Sequence, residues 1–315
     1  MTNNATNDII CPLCNSKAAK HLADVKDFEY FTSDELFTYF ECVDCRCIYL
    51  PHPPISRLDE IYPSNYYSNE GPSSNDNYLD VILLQVKHWL DKRLFASVLK
   101  QIHGDSIKCL DVGGGSGWLL NIIRKADKRV SETTVLDINH VSKNIAEKNG
   151  HQFVHGTVES LGRENEFDFA FALNLIEHVA DPRSVLLGLN KALKPGKMLL
   201  IKTPNANSLN RKVFQKIYWG GYHAPRHWVL FDRENFFSLA LETGFEISEF
   251  KYTQGAPQWV ASVLGTLSKL KISKKNVPMI YNPLTPWLTI FFAAFDLVRA
   301  PFFKTDQMII ALKKI

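Results

Sequence analysis

Ile107-Lys108-Cys109-Leu110-Asp111-Val112-Gly113-Gly114-Gly115-Ser116-Gly117-Trp118 is the stretch on which the fold of this 315-residue chain turns. Residues 107–112 read as a short buried strand that ends in an acid. Four glycines then fall within five residues, and a helix begins at Trp118. Glycines let a backbone turn tightly and approach a ligand without Cβ collisions, so strand, glycine turn and helix together open a doubly wound α/β unit. The spacing separates this loop from the dinucleotide fingerprint. Counted from Gly113, G-x-G-x-x-G needs Gly or Ala at position 118, where Trp118 stands.

Further signals follow in order. A second strand, residues 133–137, ends in Asp137, 20 residues past Gly117. An acid there can accept both ribose hydroxyls of an adenosine. A third strand over 153–156 leads to Thr157, Val158 and Glu159, and a fourth runs from 167 to Asn174. Leu79 to Ile102 carries helix-spaced apolar residues and is expected to lead into the main domain. Residues 232–244 read as a helix with Asp232 as its cap and Gly244 as its stop, with strands at 245–252 and 307–312.

Residues 111–117, Asp137, Asn174-Leu175-Ile176-Glu177-His178-Val179, and Lys194-Pro195-Gly196 followed by Thr203-Pro204-Asn205 resemble the ordered motifs of class I S-adenosylmethionine (SAM)-dependent methyltransferases. The likeness covers roughly 105–250 and the last strand, and it is nearest to the ubiquinone-biosynthesis O-methyltransferase type. It implies a seven-stranded Rossmann-like α/β sheet over 104–315. The last two strands would form a hairpin with a helical insertion at about 254–304, in two helices at 257–271 and 281–299. It also implies roles. Gly113, Gly115 and Gly117 would pack on the methionine part of SAM, and Asp111 would orient its ammonium. Asp137 would hold the ribose, Thr157, Val158 and Glu159 would lie beside the adenine, and Asn174 would line the methionine end.

Five of the six cysteines lie in the first 50 residues. Cys11-Pro12-Leu13-Cys14 and Cys42-Val43-Asp44-Cys45 are two CxxC turns, 27 residues apart. Each turn lets two thiolates converge, and two turns make the tetrahedral Cys₄ set that Zn²⁺ favours. With all four positions filled by protein, the metal is expected to be structural. Alternation at 27–31 and 37–41 reads as short strands, so residues 1–54 are expected to form a zinc ribbon. Residues 55–103 would be a linker and the leading helix.

The acceptor is expected at the carboxyl ends of the strands. The loop after the fifth strand holds Trp219, Tyr222, His223, Arg226, His227 and Trp228. Histidine titrates near neutrality and can take a hydroxyl proton, and arginine can hold a phosphate or carboxylate. His227 is the expected base, with His178 as rival and His223 able to pair with either. The Cys₄ N-terminus, the Tyr66-Tyr67 region and this loop resemble the deoxysugar C-methyltransferases. Those enzymes carry a Tyr-His-Glu-His-Leu-Ser-Tyr-Phe stretch whose second His is catalytic, and His227 matches that His. Their Glu is Arg226 here and their long C-terminal domain is absent, which favours O-methylation of a sugar, glycan or related small molecule. C-methylation of a nucleotide-linked deoxysugar, a quinone-type acceptor and RNA are the alternatives. RNA fits poorly: between Cys14 and Cys42 stand three Lys and six Asp/Glu, the reverse of what phosphates attract.

The whole chain is net +3, but residues 251–315 carry nine Lys/Arg against two Asp/Glu. A basic, aromatic-rich end suits an anionic surface, so a peripheral membrane contact through 281–303 is expected alongside a cytoplasmic location. The N-terminus has neither a basic nor an apolar signal region, and the apolar run 287–295 is too short to span a bilayer.

Overall fold

A computed structural model describes residues 9–62, 78–272 and 279–315. Tyr66 and Tyr67, which the sequence singles out, lie outside the described residues, as do the stretch 70–77, Lys274, Lys275 and Pro278. The N-terminal elements are β1 (Ala19–Val25), β2 (Phe37–Cys42), β3 (Ile48–Tyr49) and α1 (Leu58–Ile61). The central ones are α2 (Tyr78–Leu99), β4 (Ile107–Val112), α3 (Trp118–Ala126), β5 (Val130–Asp137), α4 (Lys143–Lys148), β6 (Gln152–His155), β7 (Phe167–Leu173), α5 (Pro182–Ala192) and β8 (Leu193–Pro204). Then come α6 (Leu209–Phe214), β9 (Val229–Leu230), α7 (Arg233–Glu242), β10 (Phe245–Thr253), α8 (Ala256–Lys269), α9 (Thr285–Arg299) and β11 (Gln307–Lys314).

The large sheet has seven strands in the order β10-β11-β8-β7-β4-β5-β6. β4 to β8 pair in parallel, while β11 runs antiparallel between β8 and β10. Strand order reverses between β4 and β7, and a doubly wound sheet opens its binding crevice at such a switch point. Alternate residues of β4 face opposite layers. Leu110 and Val112 join one core cluster, Ile107 and Cys109 the other, as a period of two requires. α7 starts on a reciprocal cap: Asp232 accepts from Asn235 N at 2.9 Å, and the Asn235 side chain accepts from Asp232 N at 3.0 Å.

A smaller sheet, β1-β2-β3-β9, carries the cysteines. Its last strand comes from the loop after β8: Ile48 pairs with Leu230 and Tyr49 with Val229. Cys11, Tyr39 and Ile48 share one buried cluster with Phe167, Leu189 and Phe236. The N-terminal residues are thus packed into the core of the large domain.

One expected strand is absent. Residues 27–31 alternate in the sequence but form a turn, and the strand lies earlier, at Ala19–Val25. Asp27 is the reason. Its carboxylate accepts from Glu29 N (3.0 Å), Tyr30 N (2.9 Å) and Thr32 N (3.0 Å), taking amides that a strand ladder would need.

Candidate functional site

At the end of β4 the loop Gly113, Gly115 and Gly117 adopts φ of 72°, 51° and 72°, in the left-handed region that favours glycine. A Cβ at Gly114 would lie 2.5 Å from Asp111 Oδ2. Asp111 is buried, and this oxygen has no hydrogen-bond partner among the described residues. Burial, with Asp137 nearby, pushes its carboxyl well above the ordinary range. A buried acid without a donor awaits a cation, which suits the ammonium of the SAM methionine.

Asp137 ends β5. Its Oδ2 accepts from Gly115 N at 2.9 Å and its Oδ1 from Asn139 N at 2.8 Å, so the acid also braces the glycine loop. Burial raises this carboxyl too. Thr157 precedes a short 3₁₀ turn over Val158–Ser160 and donates its N–H to Ser160 Oγ at 3.0 Å. The Val158 side chain is buried against α5, where a Cβ at Gly188 would meet its Cγ1 at 2.6 Å. Glu159 is exposed on the same turn. Asn174, with φ 53°, leaves β7, and its Oδ1 is buried without a partner among the described residues. Asp111, Asn174 and the glycine turn therefore offer polar atoms and a Cβ-free path at one end of the sheet, and these fit SAM. Lys87 on α2 was not singled out by the sequence, where it is one of many helix-surface lysines. Its Nζ stands 3.9 Å from the centre of the Trp118 ring and 3.3 Å from Asp91, beside the same loop.

Three imidazoles cluster where the sequence leads one to expect the acceptor. Ring centres lie 4.7 Å apart for His178 and His227, 4.8 Å for His223 and His227, and 6.1 Å for His178 and His223. His227 Nδ1 is 2.8 Å from Gly221 O; a carbonyl only accepts, so Nδ1 carries the proton and Nε2 is left as a base. Nε2 is 4.0 Å from Glu177 Oε1. His178 Nδ1 is 3.0 Å from Arg226 O and 2.9 Å from the Tyr62 hydroxyl. His223 Nδ1 is 2.9 Å from Glu29 Oε2. Burial, then the neighbouring imidazoles, holds His227 well below the usual histidine range; burial and His223 bring His178 down to about 3. Glu177 is fully buried and accepts from Thr203 Oγ1 at 3.0 Å, and burial pushes it up to about 8.

Arg226 corrects the expectation of an anion-binding arginine. It is fully buried. Nη2 donates to Asp27 Oδ2 at 2.8 Å, Nε to Ile61 O at 2.6 Å, and the guanidinium lies 4.5 Å from the Tyr30 ring centre. Burial alone would raise Asp27, but the hydrogen bond and charge of Arg226 outweigh it and bring that carboxyl down to about 2. Tyr39 adds a third tie: its hydroxyl stands 3.1 Å from Tyr222 O and 2.9 Å from His227 O. Asp27, Glu29 and Tyr39 thus clamp the loop that presents His223 and His227. The sequence hid these partners.

Cys11, Cys14, Cys42 and Cys45 bring their sulfurs within 4.8 Å of one another, with Cys11 to Cys45 and Cys14 to Cys42 each 3.5 Å. None is in a disulfide. Four thiolates around Zn²⁺ at about 2.3 Å stand about 3.8 Å apart, so the set fits that ion. Cys47 is buried beside the set, with its thiol against Cys11, and Cys109 is buried apart from it on β4.

A family model described as a methyltransferase domain matches residues 86–249. The ubiquinone biosynthesis O-methyltransferase of Cereibacter sphaeroides is 30% identical over 133 residues, 41% of this chain and 52% of that one. That of Dinoroseobacter shibae is 33% identical over 105 residues, 32% and 42% of the two chains. The chain spans about half the length of the curated relatives it matches. The solved structure of geranyl diphosphate C-methyltransferase from Streptomyces coelicolor, in complex with Mg²⁺, geranyl diphosphate and S-adenosyl-L-homocysteine, superposes with a TM-score of 0.53. It covers 80% of this chain and 90% of that one at 11% identity, a likeness of fold alone. With the family match spanning more than half its residues and the seven-stranded sheet around its glycine loop, this chain belongs to the methyltransferase-domain family.

Proposed function

We propose that the chain transfers the methyl group of SAM to a hydroxyl of a sugar, glycan or related small acceptor, with His227 as general base. The observation that carries this reading is the His227 imidazole, pinned through Nδ1 to Gly221 O so that Nε2 is the accepting nitrogen of the neutral ring. When bound, SAM supplies an electrophilic methyl carbon on a sulfonium. Asp111 and Asn174 would orient its amino-acid end, and Asp137 its ribose. A Cβ at Gly113 would strike Leu175 Cδ1 at 2.8 Å, so the loop bearing Glu177 and His178 adjoins the glycine turn. The acceptor proton passes to His227 Nε2 as the oxygen bonds the methyl carbon and the carbon–sulfur bond breaks. The products are the methyl ether, S-adenosylhomocysteine and an imidazolium, beside which Glu177 is the nearest acid.

Zn²⁺ on Cys11, Cys14, Cys42 and Cys45 would be structural, since protein fills all four positions. Its part is to fix the sheet from which Tyr39 reaches the acceptor loop. The ubiquinone-type relatives support methylation of oxygen, and a quinone precursor is the second reading. C-methylation loses support at Arg226, which stands where those enzymes have Glu and is committed to Asp27. The test is transfer of labelled methyl from SAM to a panel of sugars, nucleotide-linked sugars, glycans, a catechol quinone precursor and RNA. Label on a sugar hydroxyl is expected. Label on the catechol, on carbon or on RNA alone would overturn the acceptor assignment.

A further inference from the structure

The α8–α9 hairpin, inserted between β10 and β11, leaves one face uncovered. Its inner face is well packed. Phe292 stacks on Trp259 at 4.9 Å, Phe295 meets it edge-on at 5.7 Å, and buried Asp296 accepts from Gly255 N at 3.0 Å and Trp259 Nε1 at 3.2 Å. On the outer face Leu284, Trp287, Phe291 and Val298 recur at helical spacing, and Phe302 continues the row beyond the helix. These five are 49 to 79% exposed. Single exposed apolar residues are ordinary, but a row of large ones along one helix marks a contact surface.

Within the hairpin itself the exposed charge has one sign. From 254 to 305 the only acid is Asp296, and it is buried. Lys269, Lys271 and Lys304 are exposed, with Lys304 3.9 Å from Glu234 on the neighbouring helix. Arg299 lies over the Phe295 and Phe303 rings at 4.6 and 5.9 Å. Two copies joined by this face would bring like cations together at a desolvated contact. A surface of lipid phosphates would neutralise them and also take up the aromatic row.

We propose that this face docks on an anionic lipid bilayer, with α9 lying in the headgroup layer, Trp287 and Phe291 inserted, and Lys271 and Lys304 on the phosphates. The 15 residues of α9 reach about 22 Å, short of the roughly 30 Å hydrocarbon core. No helix among the described residues is long and apolar enough to cross a membrane. The hairpin also touches the acceptor loop. A Cβ at Gly220 would fall 2.2 Å from Gln258 O on α8, and Met279 N donates to Glu29 O at 3.2 Å. The docking face is thus carried by the same hairpin that packs on the loop bearing His223 and His227.

Co-sedimentation of the full, zinc-loaded chain with vesicles of phosphatidylcholine, alone or mixed with phosphatidylglycerol, tests this. Binding is expected to the mixed vesicles at low salt and not to phosphatidylcholine alone. A Trp287→Ser/Phe291→Ser variant should lose about tenfold or more in partitioning, as should Lys271→Glu/Lys304→Glu. Both should bind SAM as the parent does, which shows that they are folded. No binding to mixed vesicles at low salt, or equal binding to both kinds, overturns the proposal. So does a dimer in sedimentation velocity that the serine variant breaks while vesicles are ignored.

Discussion

Asp111, the glycine turn and Asp137 all come from β4, the loop after it and β5, within 27 residues of one another. The three imidazoles come from 178, 223 and 227, and what holds their loop comes from residues 27, 29 and 39. The cofactor side is a local β–α–β device that carries its own hydrogen bonds, such as Gly115 N to Asp137. The proposed acceptor side is assembled across the chain, and the cysteine sheet joins its loop through the β3–β9 pairing. A family can keep the first while changing the second, because different residues hold each.

Four perturbations should separate the two sides. The largest effect is expected from His227→Ala. Loss of a general base typically costs about 10²–10⁴-fold in turnover. SAM affinity by calorimetry should stay at the parent value. If His178→Ala shows that pattern and His227→Ala does not, the two histidines exchange roles. Next comes Asp27→Ala, which strands Arg226 as a buried charge and should remove about 3–5 kcal/mol of stability. Urea unfolding measures this, and a loss under 1 kcal/mol, on the scale of an exposed pair, would mean that the clamp contributes little.

Asp137→Ala acts on the other side. It should weaken SAM binding by about 1–3 kcal/mol, the scale of a stranded hydrogen-bond partner. An unchanged affinity in the folded variant refutes its assigned role. The smallest effect concerns pH. Glu177 titrates at about 8 in the folded chain against an ordinary 4.5, so the folded state holds its proton longer than the unfolded one. Its contribution is whole below about 4.5 and is lost as pH rises through 8, at about 1 kcal/mol per pH unit at most. Between pH 6.5 and 8 the parent should lose stability faster than Glu177→Gln. Equal slopes would show that Glu177 titrates normally.

What could be read from the sequence follows the same division. The glycine loop, the acids at strand ends and the CxxC turns are patterns of near neighbours, and spacing alone exposes them. The Asp27–Arg226 pair spans 199 residues, and the Tyr39 contact to His227 spans 188. No spacing rule reaches that far. Arg226 reads as a ligand-binding cation because a charged loop residue is usually exposed, and its burial is tolerable because Asp27 supplies the opposite charge and Ile61 O a further acceptor. Residues 27–31 read as a strand because alternation does not show that one carboxylate will capture three amides.

Hydrogen exchange followed before and after zinc removal by a chelator addresses most directly the claim that the cysteine sheet builds the acceptor side and leaves the cofactor side independent. Amides of 218–231 should lose protection together with those of 9–50, while amides of 107–117 and 130–137 keep theirs. If 218–231 stays protected when the cysteine sheet opens, the sheet is an appendage and not a wall of the site; if all four segments lose protection together, the two sides are one cooperative unit.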